Sequence, residues 1–156
     1  MLRRCYDAKL QVRFPSYVGC SVHDDWHSYS AFKLWFDKNY VDGYHLDKDI
    51  LFPGNMVYSE KTCLFVPQWL NSFVTESTAS RGQYMIGVFL KKQTQKFASS
   101  CSNPLTKKAE HIGYFDSEQE AHNKWKERKL QHVENLRVDL DLIDPRLYPA
   151  LKQKYT

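Results

Sequence analysis

The sequence predicts an α+β protein with two modules and a C-terminal tail. Hydrophobic residues make up 42% and charged residues 26% of the 156-residue chain, which is typical of a globular protein. Short strand patterns and helix patterns alternate, and a small, polar segment at 75–82 ends in glycine and indicates a linker. We therefore expect modules over residues 1–78 and 79–135, and a tail over 136–156 that contains a short helix.

The first module has the order strand, turn, strand and short helix, after two earlier helical segments. Its predicted elements are, in chain order, a helix over 1–9, an extended segment over 10–20, a helix over 29–40, strands over 44–51 and 63–66, and a helix over 68–74. Ser28 can cap the 29–40 helix, in which three aromatic residues fall on one stripe. Pro67 suits the first position of the last helix, because an N–H there needs no partner.

The second module predicts a three-stranded antiparallel sheet packed on one helix. Its predicted elements are strands over 84–90, 96–100 and 111–115, and then a helix over 117–130. Ser117 and Glu120 form a capping box at the start of that helix, and Ala121 and Trp125 can face the sheet. In the tail, Asp144 precedes a proline, which is typical of the start of a short helix.

The positive charge of the chain is concentrated in one block. The net charge is +4, and residues 81–130 alone hold 10 Lys/Arg and 5 Asp/Glu. The segments on either side, 1–80 and 131–156, are close to neutral. A local basic excess favours a polyanionic partner, although a solvated charged face would have the same composition.

Neither membrane insertion nor secretion is expected from the sequence. No apolar run approaches the roughly 20 residues that cross a bilayer, and the first residues lack an apolar signal core. We therefore expect a cytoplasmic protein with reduced thiols at its four widely spaced cysteines. Three of these cysteines with His23 or His27 could supply four zinc ligands, but they lack the short paired spacing of structural zinc sites, so zinc is disfavoured.

The strand–turn–strand–helix segment carries a family resemblance. The residues that carry it are His45–Leu51, Gly54–Ser59, Thr62–Pro67 and Asn71, with Arg4–Tyr6, Trp26, Phe32 and Trp35 upstream. The first module resembles the HNH, or ββα-metal, nucleases, specifically the small forms found in phage and mobile introns. This resemblance implies a ββα-metal fold that hydrolyses a phosphodiester bond of DNA with one divalent cation.

The HNH resemblance also implies roles for individual residues. Asp47 stands at the family's metal aspartate and Asn71 at its helix asparagine, so both would bind Mg²⁺, or Mn²⁺ in its place. Lys48 replaces the family's histidine base and is better suited to holding a phosphate, and Thr62 replaces the middle asparagine. His45 lies two residues before Asp47, on the same face of a strand, and can replace the missing base.

The second module carries a different resemblance, through Gly82–Val88, Lys96–Ala98, His111–Phe115 and Glu118–Trp125. It resembles the plant ethylene-response-factor, or APETALA-type, DNA-binding domain. This resemblance implies that the sheet lies in the major groove of double-stranded DNA, with a polar and basic outer face. The residues expected to contact DNA are Arg81, Lys91, Lys92, Gln93, Gln95, Lys96, Lys107 and Lys108.

Together the two resemblances predict a DNA-binding, Mg²⁺-dependent endonuclease of the HNH homing type, encoded by a phage or mobile element. The replacements at Lys48 and Thr62 leave an alternative open. In that alternative the protein is a degenerate HNH-like chain that only binds DNA, or that inhibits a host nucleic-acid or defence complex. A small domain that binds a protein partner without any DNA affinity is the third possibility.

Overall fold

The computed structural model describes residues 1–75 and 83–156 and confirms the α+β class. The chain forms two compact units, Met1–Gln68 and Trp69–Thr156. The division therefore lies after the first residue of the short helix that the sequence assigned to the first module, and the tail belongs to the second unit. Within the ranges that the structure describes, no helix is both long and apolar enough to cross a membrane.

The first unit combines short helices with two small sheets. Its elements are α1 (Leu2–Tyr6), α2 (Ala8–Arg13), β1 (Ser21–Val22), α3 (Tyr29–Asn39), β2 (Tyr44–Asp47), β3 (Val57–Tyr58) and β4 (Leu64–Pro67). Strands β1 and β3 pair in parallel, and β2 and β4 pair antiparallel with Asp47 opposite Leu64. The predicted helix over 29–40 is confirmed, and the Ser28 hydroxyl accepts a hydrogen bond from the Ala31 N–H as its cap.

Two predictions for the first unit are wrong, and in both an aspartate explains the difference. The segment 10–20 is not extended, because the Asp7 carboxylate accepts from the Leu10 N–H and starts helix α2. The strand predicted over 44–51 ends at Asp47, whose carboxylate accepts from the N–H groups of the next turn. In each case a short acidic side chain redirects the backbone locally.

Aromatic rings and cysteines form the core of the first unit. The ring centroid of Trp35 lies 4.6 Å from that of Trp26 and 5.4 Å from that of Phe65. Three thiols, those of Cys5, Cys20 and Cys63, are buried in the same core and form no disulfide. Trp26 and Trp35 are therefore core residues in this unit, and they bury their rings against one another.

The second unit contains one sheet and a layer of helices. Helix α4 (Gln68–Val74) begins at the last residue of the first unit, and the later elements are β5 (Val88–Lys91), β6 (Lys96–Ser102), β7 (Ala109–Phe115), α5 (Glu118–Asn135), α6 (Arg137–Ile143) and α7 (Leu147–Tyr155). The strands are antiparallel in the order β5-β6-β7. The predicted three-stranded antiparallel sheet packed on a helix is confirmed.

The helix α5 begins where its capping signal predicts. The Ser117 hydroxyl accepts from the Glu120 N–H, and Ala121 and Trp125 are buried, as expected. The strand predicted over 84–90 starts later, at Val88, because Gly87 has a φ of +79° and interrupts the extended backbone. A Cβ atom at Gly87 would overlap the indole ring of Trp125, so only glycine fits there.

The register gives the sheet of the second unit two different faces. Val88 and Ser99 are paired on the inner face and are 6% and 0% exposed. Helix α5 contacts all three strands and covers this face. Phe89, Ala98 and Tyr114 form a cross-strand row on the opposite, outer face, where Phe89 and Tyr114 are 48% and 47% exposed.

The tail belongs to the core of the second unit. Its buried leucines, each at most 2% exposed, are Leu136, Leu140, Leu147 and Leu151. The Tyr155 ring packs edge-on against Trp125 with centroids 5.9 Å apart, which joins α7 to α5. Helix α4 is joined to the same layer, because Lys129 Nζ donates to the Phe73 carbonyl oxygen and Lys154 Nζ to that of Val74.

Candidate nucleic-acid interface

The outer face of the sheet carries lysines beside its exposed aromatic rings. We define the outer face by the side chains of Phe89, Lys91, Lys96, Ala98, Ser100, His111 and Tyr114. Lys91 Nζ donates to the Tyr114 hydroxyl at 3.0 Å, and its position fixes the phenol ring. Lys96 is in a surface ion pair with Asp116 at 2.9 Å, and such pairs exchange readily for other partners.

Two connections place further lysines at the ends of the sheet. The β5–β6 turn carries Lys92, and the β6–β7 loop carries Lys107 and Lys108. All three are exposed, and their Nζ atoms make no hydrogen bond or ion pair to a described residue. Residues 88–115 thus contain five lysines and a single carboxylate, that of Glu110. The surplus of positive charge is therefore local to the sheet.

The single carboxylate of the sheet is turned away from the outer face. Glu110 Oε1 accepts from Asn103 Nδ2 at 2.8 Å, and Glu110 Oε2 lies 3.1 Å from Nε2 of His132 on α5. The Asn103 hydrogen bond, and the charges of His132 and Arg128, lower the pKa of the Glu110 carboxyl. Glu110 therefore does not neutralise the lysines on the other face, where Asp116 pairs with Lys96.

Asn103 also shapes the loop that presents two of the lysines. Its Oδ1 atom accepts from the N–H groups of Leu105 and Thr106 at 2.9 and 3.0 Å. Lys107 adopts a φ of +58°, which turns the chain back toward β7. This hydrogen-bonded loop holds the backbone of the lysine pair in one place, whereas the side chains extend into solvent.

The remaining predicted DNA contacts differ in their availability. The Gln95 side chain donates to the Lys92 carbonyl oxygen at 2.7 Å within the turn, where Gln95 has a φ of +54°. Gln95 therefore supports the turn, and its amide is already engaged. Gln93 is exposed at the tip of the same turn. Arg81 lies outside the described residues.

The predicted metal ligand of the first unit is built into a turn. Asp47 is 9% exposed, and its Oδ1 atom accepts from the N–H groups of Asp49 and Ile50 at 2.9 and 2.7 Å. Burial raises the pKa of the Asp47 carboxyl, and these two hydrogen bonds act in the opposite direction. The Oδ2 atom receives no hydrogen bond from the part of the chain that the structure describes.

Lys48 is held by hydrogen bonds within the segment that follows Asp47. It is 7% exposed, and its Nζ atom donates to Asp49 Oδ2 and to the Asn55 carbonyl oxygen, both at 2.9 Å. Asn55 bonds back to the same segment, because its amide donates to the carbonyl oxygens of Lys48 and Val57. Lys48 can hold a phosphate only after it leaves these partners. The sequence did not indicate a buried lysine at this position.

The other predicted catalytic residues lie in three different settings. Thr62 donates to the Val57 carbonyl oxygen at 2.8 Å and contacts the Ser59 hydroxyl, so its hydroxyl group supports a turn. His45 is exposed on β2, opposite Val66. Asn71 lies on α4 in the second unit, whereas Asp47 lies in the first, and their pairing as metal ligands stays a prediction.

The donor chemistry of the two proposed ligands is compatible with Mg²⁺. Asp47 keeps one carboxylate oxygen and Asn71 offers an amide oxygen, and Mg²⁺ completes its shell with water. In residues 1–75 and 83–156, no three His, Cys, Asp or Glu side chains are grouped so that they could hold a metal ion. The predicted site therefore depends on a single carboxylate.

The sequence reasoning missed three residues of the outer face, namely Phe89, His111 and Tyr114. The alternation along 84–90 placed Phe89 opposite Val88, which was the available signal, but an apolar ring on a DNA-facing side was not expected. The outer face is basic, as the resemblance implies, and it is also aromatic. No family model, curated protein or solved structure matches the chain, so both family resemblances stay predictions.

Proposed function

We propose that this protein binds DNA through the outer face of its second unit. The observation that carries the proposal is the five-to-one excess of lysines over carboxylates in residues 88–115, on a sheet whose other face is covered by α5. Phosphate neutralisation by lysines supplies most of the affinity in non-specific DNA binding. The proposed role of these lysines is to hold phosphates and position the sheet, and not to read bases.

The salt dependence of binding tests this proposal. The titration uses the full chain and a labelled DNA duplex, with fluorescence anisotropy recorded over a range of salt concentrations. Changing both Lys107 and Lys108 to Gln should lower the slope of log affinity against log salt by about two, one for each lysine that no longer neutralises a phosphate. Lys152→Gln is the matched control, because Lys152 lies on α7 in an exposed ion pair with Glu134.

Two results would contradict DNA binding by this face. One is an equal change in the slope of log affinity against log salt for the double variant and for Lys152→Gln. The lysines of the β6–β7 loop would then contribute no more to DNA binding than a lysine elsewhere on the surface. The other is an absence of binding to any DNA at low salt, which would favour the third possibility, a partner-binding domain without DNA affinity. A circular dichroism spectrum identical to that of the parent chain establishes that each variant is folded.

Metal-dependent cleavage is the second candidate function, and one observation favours it. The antiparallel pair β2–β4 is followed at once by helix α4, which is the ββα order that the HNH resemblance implies. In this proposal Asp47 and Asn71 hold Mg²⁺, which when bound neutralises charge that develops on a scissile phosphate. His45, exposed on β2, would take the proton of the attacking water, as a neutral imidazole can.

A plasmid-nicking assay separates the cleaving protein from the binding-only alternative. Asp47→Asn is the informative variant, because an amide oxygen can still accept the two turn N–H groups while the charge is removed. We expect Mg²⁺-dependent nicking that EDTA stops and Asp47→Asn abolishes, with Asp42→Asn as an exposed control. Nicking that survives Asp47→Asn would reject the site. Retained DNA binding without nicking under any divalent metal would favour the degenerate, DNA-binding or host-inhibiting protein.

A further inference from the structure

The outer face carries a pair of exposed rings on either side of a covered alanine. Phe89 on β5 and Tyr114 on β7 flank Ala98 on the central strand, and Ala98 is 0% exposed between them. Neighbouring strands lie about 4.8 Å apart, so the two ring-bearing backbones are separated by about 10 Å. Because Ala98 is fully covered, the surface that a ligand can contact here consists of the exposed parts of the two rings, which we call the ring pair.

The Tyr114 ring is held in position by polar neighbours. Lys91 Nζ donates to the Tyr114 hydroxyl at 3.0 Å, and the His111 ring lies 4.7 Å from the Tyr114 ring, centroid to centroid. His111 is itself exposed. Three aromatic rings and two lysines, Lys91 and Lys96, thus share one face within three neighbouring rows of the sheet.

We propose that the ring pair binds unpaired nucleotides, with bases stacked on Phe89 and Tyr114 and phosphates held by the lysines in and beside the β5–β6 turn. This inference rests on the proposed function, because it names the form of nucleic acid that the same face prefers. Phenyl and phenol rings attract the π-face of any base, and lysines beside them attract the following phosphate.

Base pairing determines whether the faces of the bases are accessible to the exposed rings. In a duplex both faces of each base are covered by its neighbours in the stack, so an exposed ring on a protein finds no base face to contact. A single strand, a bulge or a strand end presents base faces directly and can stack a base on Phe89 or Tyr114.

Charge also favours a nucleic acid over a protein partner. An apolar protein surface would cover the rings but would also desolvate Lys91 and Lys92, which have no carboxylate partner among the described residues, at a cost in free energy. A strand of nucleic acid alternates an aromatic base with a phosphate and therefore satisfies both kinds of side chain. The outer face offers the same alternation, since Phe89 and Lys91 are two residues apart on one strand.

The test compares oligothymidylate with a mixed-sequence duplex of equal length, at one salt concentration, by fluorescence anisotropy with the full chain. We expect the single strand to bind at least about tenfold more tightly, and Phe89→Leu to weaken that binding about tenfold while duplex binding changes less than about twofold. Leucine keeps the apolar volume and removes the π-face. Phe14→Leu is the matched control, because Phe14 in the first unit is 42% exposed.

Stacking has its own spectroscopic signature. A 2-aminopurine base within the oligonucleotide should change its fluorescence on binding, and the change should diminish in Phe89→Leu and Tyr114→Leu. Equal or tighter binding of the duplex, or single-strand binding that Phe89→Leu leaves unchanged, would overturn base stacking on the ring pair while DNA binding by lysines stands. Binding to neither form at low salt would overturn the proposed function itself, and with it this inference.

Discussion

The substitution Gly87→Ala tests the contact on which the sheet and helix α5 depend. Gly87 combines a φ of +79° with a position directly against the Trp125 indole, where a Cβ atom would overlap Cδ1 and Cγ. The ring cannot move aside, because it is 5% exposed and is packed by His122 and Tyr155. A left-handed backbone costs a non-glycine residue about 1–2 kcal/mol, and over-packing adds about 1–3 kcal/mol. We expect the free energy of unfolding to fall by about 3.5 kcal/mol, the sum of the midpoints of these two ranges.

Urea unfolding followed by circular dichroism measures this destabilisation, and Gly54→Ala provides the control. Gly54 has a φ of +81° with nothing within 4 Å of its missing Cβ, so only the backbone cost of about 1–2 kcal/mol applies. In a Trp125→Phe background, which shortens the ring, the extra cost of Gly87→Ala should fall. If Gly87→Ala lowers the free energy of unfolding no more than Gly54→Ala does, or lowers it equally in both backgrounds, then overlap with Trp125 is not the cause of the destabilisation.

Three further predictions concern the cap, the buried histidine and the thiols. Ser117→Ala removes the cap of α5 and should cost about 1 kcal/mol in urea unfolding, and Ser117→Asp should restore it. Burial lowers the pKa of His132 from 6.5, so stability is present above that pH and is lost as the pH falls; His132→Phe should flatten this acid slope. Burial raises the pKa of Cys63 to about 11, so iodoacetamide at about pH 8 should label it only after unfolding; equal labelling of the native chain would contradict this.

Local signals in the sequence were sufficient to predict the helices that begin with a capping serine. Ser28 and Ser117 each precede a helix by one residue, and the predicted helices are present because a hydroxyl acceptor at that point acts over only three residues. The strand over 84–90 failed for the opposite reason. The side chains of this segment do alternate, but Gly87 has a positive φ and packs directly against Trp125. That contact is invisible in the local sequence because Trp125 lies far along the chain.

The candidate site was less predictable because its contacts join residues that are far apart in the sequence. The outer face was expected to be basic from its lysines, and it is. The partnership of Phe89 with Tyr114 depends on the register of three strands, which composition does not reveal. Burial of Lys48 also has no local signature, since lysine side chains are seldom enclosed. Asp47 was expected within a strand over 44–51 and instead ends β2, and its metal role stays a prediction.

The leucines of the C-terminal helices have a practical consequence for dissecting this protein. A fragment that ends at residue 135 would expose the apolar sites that Leu140, Leu147 and Leu151 fill, and would therefore have a hydrophobic surface in contact with water. Such a fragment should precipitate or associate even if its sheet could form. The shortest piece that keeps every buried layer of this unit extends from Trp69 to Thr156. The last helices thus seal the hydrophobic interior, and the boundaries of a similar domain elsewhere are a poor guide to where this chain can be cut.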